Sequence, residues 1–151
     1  MVLAGYSGTG RQGDQEVGMS EGRLSRLDAI YRFRFAGVDK KQKAAVWGEI
    51  ASFIFEFMGK PTRVLDPACG DMEFLRTLPD WVEKWGVDLG APQGIKGQNL
   101  KLERGNIFDV ELPQHYFDGI FVSNFLEHLP DPDTVGQFLT KMRSGLRGGV
   151  Q

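Results

Sequence analysis

The segment Val64-Leu65-Asp66-Pro67-Ala68-Cys69-Gly70-Asp71 constrains this chain more than any other. A compact apolar run ends in a carboxylate and enters a tight loop of small residues. A helical stretch with Met72, Phe74, Leu75 and Leu78 follows. Only a strand, a close turn and a helix accommodate that change of period from two to 3.6 residues. A loop of small residues lets a ligand lie against backbone amides. The run Trp85 to Asp88 reads as a second strand, and it too ends in an acid, eighteen positions past Gly70. A carboxylate there can accept two hydrogen bonds from the vicinal hydroxyls of a ribose, so the pair describes a nucleoside site. Either Asp alone is as well explained by a helix cap or a turn.

The rest of the chain repeats the alternation. A third strand is expected near Leu100 to Glu103 after a Gly- and Pro-rich segment, Gly90 to Gln98, that offers at best a broken helix. A fourth, Phe117 to Ser123, is nearly all apolar, as a strand covered on both faces must be. Asp131-Pro132 supplies an N-cap and a first-turn proline for a last helix whose expected buried face is Val135, Phe138, Leu139, Met142 and Leu146. Strands alternating with helices imply a parallel sheet with helices on both faces, an α/β Rossmann-like domain truncated after the fourth strand.

Two helices precede it. Residues 21–60 read as a helical segment, first Glu21 to Phe35 with Leu24, Leu27, Ile30 and Tyr31 at helical spacing. A stronger helix starts at Asp39 with Gln42 three residues on, and carries Val46, Trp47, Ile50, Phe53, Ile54 and Phe57 as its expected core stripe until Gly59 and Pro61. Residues 1–20, rich in Gly, Ser and Gln, read as a flexible leader, and 61–151 as a partial nucleoside-binding domain.

Charge narrows the partners. Eighteen basic and twenty acidic residues leave a net charge of -2, which favours neither nucleic acid nor an anionic membrane surface. No apolar run approaches the length of a membrane span. The one cysteine, Cys69, cannot make an internal disulfide, so a reducing, cytoplasmic setting is expected. Neither a structural zinc site nor any other metal site is expected.

Dinucleotide enzymes need several glycines in the first loop to bring a pyrophosphate onto the helix N-terminus. Here only Gly70 stands there, and Asp66 and Asp71 would repel a pyrophosphate. A cofactor bearing a sulfonium and an ammonium tolerates both acids. At this point a family resemblance enters. Val64 to Gly70 resembles motif I of the class I S-adenosylmethionine-dependent methyltransferases, and Gly86-Val87-Asp88 resembles the acidic end of their second strand. Phe117 to Leu129 is similar to their fourth strand and following loop, and Leu146-Arg147-Gly148-Gly149 to the turn before their fifth.

The resemblance implies that S-adenosylmethionine is the cofactor and that Asp66, Ala68, Gly70, Asp88, Leu89, Asn106, Ile107 and Asn124 line it. Asp66 and Gly70 would meet the methionine part, Asp88 the ribose and Leu89 the adenine. Asn106 or Asp109 would meet the adenine amino group. Ala68 and Met72 stand where the family commonly has glycine, so a tighter loop is expected.

His128, after the fourth strand, is the candidate general base, or else a packed or solvated cap. Cys69 has no base placed beside it by any motif and reads as packing. Tyr31, Arg32 and Arg34 either close over the cofactor or form a solvated face. Ser123-Asn124-Phe125-Leu126 lacks the Pro-Pro-aromatic signature of DNA adenine methyltransferases, which excludes DNA as substrate.

The expected activity is methyl transfer to a small-molecule acceptor. The alternatives are a nucleotide- or cofactor-binding module without turnover and an NAD-binding oxidoreductase. Because the family's sheet is larger, the fourth strand is expected to present a free edge through which copies associate, and the 151 residues to be weakly active or inactive alone.

Overall fold

The computed structural model describes residues 39–148. The leader, the helix expected over 21–35 and the Arg32 and Arg34 pair lie outside them. Two compact units divide the chain near Ala45 and Val46; the larger, from Val46 onward, holds the sheet and every candidate site residue described below.

A four-stranded parallel sheet of order β3-β2-β1-β4 organises that unit, with β1 Arg63–Asp66, β2 Glu83–Asp88, β3 Leu100–Arg104 and β4 Gly119–Ile120. Helices α1 (Lys40–Phe57), α2 (Glu73–Thr77) and α3 (Pro132–Gly145) complete it. This is the α/β Rossmann-like arrangement expected from the alternation. Adjacent residues of β1 face opposite ways, as a strand requires. Val64 packs with α1 and α2 among Ala51, Phe55, Phe74, Leu75 and Leu78, whereas Leu65 packs with α3 among Val87, Phe117, Phe125, Phe138 and Met142. Each such large side chain taken from water contributes on the order of 1.5–3 kcal/mol.

Helix ends follow local chemistry. Asp39 accepts from the Lys41 amide at 2.9 Å, and Asp131 accepts from the Thr134 amide at 2.7 Å. At the far end of α1, Gly59 and Lys60 both take positive φ and return their amides to Glu56 and Phe55. The segment between β2 and β3 contains no helix.

Three expectations change. The buried face of α1 is Trp47, Ala51, Ile54, Phe55 and Met58, while Val46, Ile50, Phe53 and Phe57 are exposed, Phe57 by 81%. The helix is apolar on two faces, and the sheet receives the one that puts Trp47 edge-on to Phe121 and the Met58 thioether over Gly119. On α3, Leu139 is exposed and Thr134 and Gly145 are buried instead. Gly145 backs onto the Phe117 ring, where a larger residue would not fit as closely.

Strand β4 pairs only over Gly119–Ile120, because its neighbour β1 leaves the sheet at Asp66 and the last ladder bond runs from Phe121 to Leu65. Its other edge is partly occupied: Leu146 forms a parallel bridge with Phe117, and the Arg147 amide donates to the Phe117 carbonyl. Arg147 and Arg63 both reach Asp118, at 3.0 and 3.3 Å, and the Thr62 hydroxyl donates to it at 2.6 Å. Burial opposes the charge on Asp118, but these donors hold its carboxyl well below the ordinary carboxylate range.

Candidate functional site

Strands β1 and β2 end side by side, with Asp66 opposite Gly86 and Asp88 two residues beyond it. Both acids are almost fully buried, 5% and 2% exposed. Asp88 ties three loops together. Its Oδ2 accepts from the Gly70 amide at 2.9 Å, its Oδ1 from the Gly90 amide at 2.7 Å, and its carbonyl from the Gly105 amide at 3.1 Å. The Cys69 amide donates to the Val87 carbonyl, which clips the loop after β1 onto β2. Asp66 Oδ1 accepts from the Ala68 amide at 3.2 Å. Gly70, bonded to Asp88 and four residues past Asp66, takes a φ of 46° that favours glycine. Met72, at φ 62°, takes the same left-handed region with its side chain buried, and starts α2.

Burial is what sets the acidity here. It raises the Asp66 carboxyl to about 7, and the nearby Asp88 charge pushes the same way against the Ala68 hydrogen bond. Cys69 feels burial first and then both acids, which drive its thiol up to about 12. A thiol so held is a packing group, as its fit against Gly86 indicates: a Cβ on Gly86 would lie 2.8 Å from Cys69 Sγ. No ion pair reaches Asp66 or Asp88 among the described residues.

The other candidate residues stand in the segments that follow β1, β2, β3 and β4. Leu89 follows Asp88, is 36% exposed, and has its carbonyl held by Arg104 Nε at 3.0 Å. Asn106 Oδ1 accepts from the Phe108 amide, closing the loop after β3, while Asp109 is exposed. The Ile107 side chain lies in the core with Leu65 and Val87, so only its backbone faces outward chemistry. Ala68 is half-buried. Asn124 is exposed at φ 49° just past β4. His128 sits in a short 3-10 turn, half-buried, with Nε2 3.9 Å from its neighbour Glu127.

Sequence reasoning passed over Gly90 and Arg104. Gly90 was legible as the amide two residues past an acid, the usual partner of an Asp turn. Arg104 carried no signal, because its bond to Leu89 joins the end of β3 to the loop after β2. A separate cavity of about 580 Å³ lies between residues 91–97 and β3, lined by Lys96, Lys101 and Arg104 but by neither acid.

A family model described as a methyltransferase domain matches residues 65–149, more than half of the chain. The chain belongs to the methyltransferase-domain family. Solved structures with the same fold include the 1,6-didemethyltoxoflavin-N1-methyltransferase of Burkholderia thailandensis, with its substrate and S-adenosylhomocysteine bound. It is 19% identical with a TM-score of 0.57, over 91% of this chain and 63% of that one. A SAM-dependent methyltransferase from Archaeoglobus fulgidus is 23% identical with a TM-score of 0.57, over 78% and 52%. A sugar N-methyltransferase from Streptoalloteichus sp. is 19% identical with a TM-score of 0.55, over 97% and 56%. The methyltransferase domain thus spans about half to two-thirds of the length of these structures. No curated protein matches it.

Proposed function

We propose that this methyltransferase domain binds S-adenosylmethionine at Asp66, Gly70 and Asp88, and that the protein to which it belongs transfers the methyl group to a small-molecule acceptor. The observation that carries this reading is the pair of buried carboxylates at the ends of β1 and β2, one of them holding the Gly70 amide, with no ion pair to either among the described residues. Two desolvated acids are costly unless a ligand brings positive charge. A sulfonium and an ammonium do so, and a pyrophosphate does the opposite, which disfavours the dinucleotide alternative. Each Asp88 oxygen keeps a lone pair after its backbone bond, so ribose hydroxyls can still be accepted.

When bound, the cofactor supplies an electrophilic methyl group for in-line displacement. The chain's part is to orient it. Asp66 takes the ammonium, Asp88 the ribose, and Leu89, with Asn106 or Asp109 and the Ile107 backbone, frames the adenine. Ala68 and Asn124 complete the lining of the cofactor. His128 is the group we assign to proton removal from the acceptor. The small-molecule class is supported by the acceptors named for the toxoflavin and sugar enzymes and by the net charge of -2, which gives nucleic acid no attraction. A cytoplasmic setting accords with the buried free thiol of Cys69. Self-association is assigned to the edge of β4 away from β1, beyond the bridge between Phe117 and Leu146.

Calorimetric titration of the chain with S-adenosylhomocysteine and with NAD tests the cofactor. Micromolar binding of the first and none of the second is expected. Asp88→Asn should weaken it at least tenfold, about 1.4 kcal/mol, by misplacing a charge-assisted acceptor. Binding of NAD alone refutes the reading.

A further inference from the structure

Asp66 differs from Asp88 in how its charge is met. Both Asp88 oxygens accept a backbone amide at 2.9 Å or less, whereas Asp66 has a single longer one, from Ala68 at 3.2 Å. Among the described residues, the groups facing Asp66 add no positive charge. From β2 comes Asp88, and from the loop come the Cys69 thiol and, further along and exposed, Asp71. On the β4 side the neighbouring residues Gly119 to Ser123 carry no titratable group. A carboxylate so enclosed holds either a proton or a cation.

We propose that cofactor binding by this domain is proton-coupled, the ligand's ammonium replacing a proton on Asp66 that is released to solvent. The inference rests on the cofactor reading above and adds a pH dependence to it. Before binding, Asp66 titrates about 7, because burial and Asp88 both disfavour its ionised form. Once an ammonium is in place, Coulomb attraction holds it ionised and the proton has nowhere to remain. Adenosine contacts at Asp88 involve no such exchange, so the coupling belongs to the amino-acid half of the ligand.

The experiment is calorimetry of the intact chain at pH 6 and pH 8 with two probes: S-adenosylhomocysteine, which carries the ammonium, and 5′-methylthioadenosine, which lacks it. With a site that must ionise through about 7, the homocysteine probe should bind about tenfold tighter at pH 8 than at pH 6. Its heat at pH 6 should vary with the ionisation enthalpy of the buffer in proportion to nearly one proton released. The thioadenosine probe should bind equally at both pH values, and Asp66→Asn should remove the pH dependence for the first probe. Equal affinity of S-adenosylhomocysteine at pH 6 and 8, or the same tenfold rise in Asp66→Asn, overturns the coupling while leaving the cofactor reading intact. Failure of both probes to bind at either pH overturns the cofactor reading and the coupling with it.

Discussion

Replacing Asp66 by Asn should make the ligand-free protein more stable, and only above acid pH. The carboxyl is nearly enclosed and its acidity is displaced from an ordinary 3.8 to about 7. An acid whose folded pKa lies above its unfolded one costs nothing while both states are protonated. The unfolded state ionises first as pH rises, so folding loses free energy through the window from about 4 to about 7 and then no more. A displacement of roughly three pH units corresponds to about 4 kcal/mol at pH 8. Asn keeps the volume and the Oδ1 acceptor for the Ala68 amide, and its Nδ2 can donate toward Asp88. Urea unfolding of wild type and Asp66→Asn at pH 4.5 and pH 8 reads the effect. At pH 8 the variant's midpoint should be higher by about 2 M, for a slope near 2 kcal/mol per molar urea, and at pH 4.5, where only the unfolded carboxyl has begun to ionise, by about 0.5 M. An equal gap at both pH values, or a less stable variant at pH 8, refutes the claim that burial of this charge governs the site.

Asp118 has the opposite sign. Its depressed acidity contributes stability that is present above about pH 4 and lost as pH falls further, and Asp118→Asn should lower unfolding free energy by about 2 kcal/mol at pH 7 by weakening its bonds to Arg63, Arg147 and Thr62, measured by urea titration. Gly86→Ala should cost about 1–3 kcal/mol, since the new methyl meets Cys69 Sγ, Leu102 and Leu75 inside 3.0 Å, and it should weaken S-adenosylhomocysteine binding because the cofactor loop rests on that contact. Phe53→Ser should change stability by less than about 0.5 kcal/mol, given its 69% exposure, whereas Phe74→Ala, at 2% exposure, should cost about 3–5 kcal/mol; thermal unfolding distinguishes the two.

Much of the fold was legible because its signals are local. The change of period at Asp66, the acid closing Trp85 to Asp88 and the cap at Asp131 each depend on residues within a turn or two of one another, and the strands and helices formed where those residues stand. The order of the acids around Gly70 was equally legible, and with it the family. What lay beyond reach depended on the opposite wall. Val46, Ile50, Phe53 and Phe57 make as good an apolar stripe as Trp47, Ala51, Ile54 and Phe55, and only the position of Phe121 and Gly119 across the interface selects the second. The length of β4 was set by where β1 departs, and the bridge from Leu146 to Phe117 by where α3 ends.

The sequence by itself determined which residues stand at the ends of the strands and which local turns they make, since period, caps and glycine positions act over a few bonds. Only the tertiary structure decided their chemistry. Asp66 and Asp88 are the same residue type after similar strands, yet one is short of donors and weakly acidic while the other is tied to Gly70 and Gly90. The physical reason is that desolvation and Coulomb energy depend on everything within several ångströms, from β1, β2 and their loops at once, and no stretch of chain contains that neighbourhood.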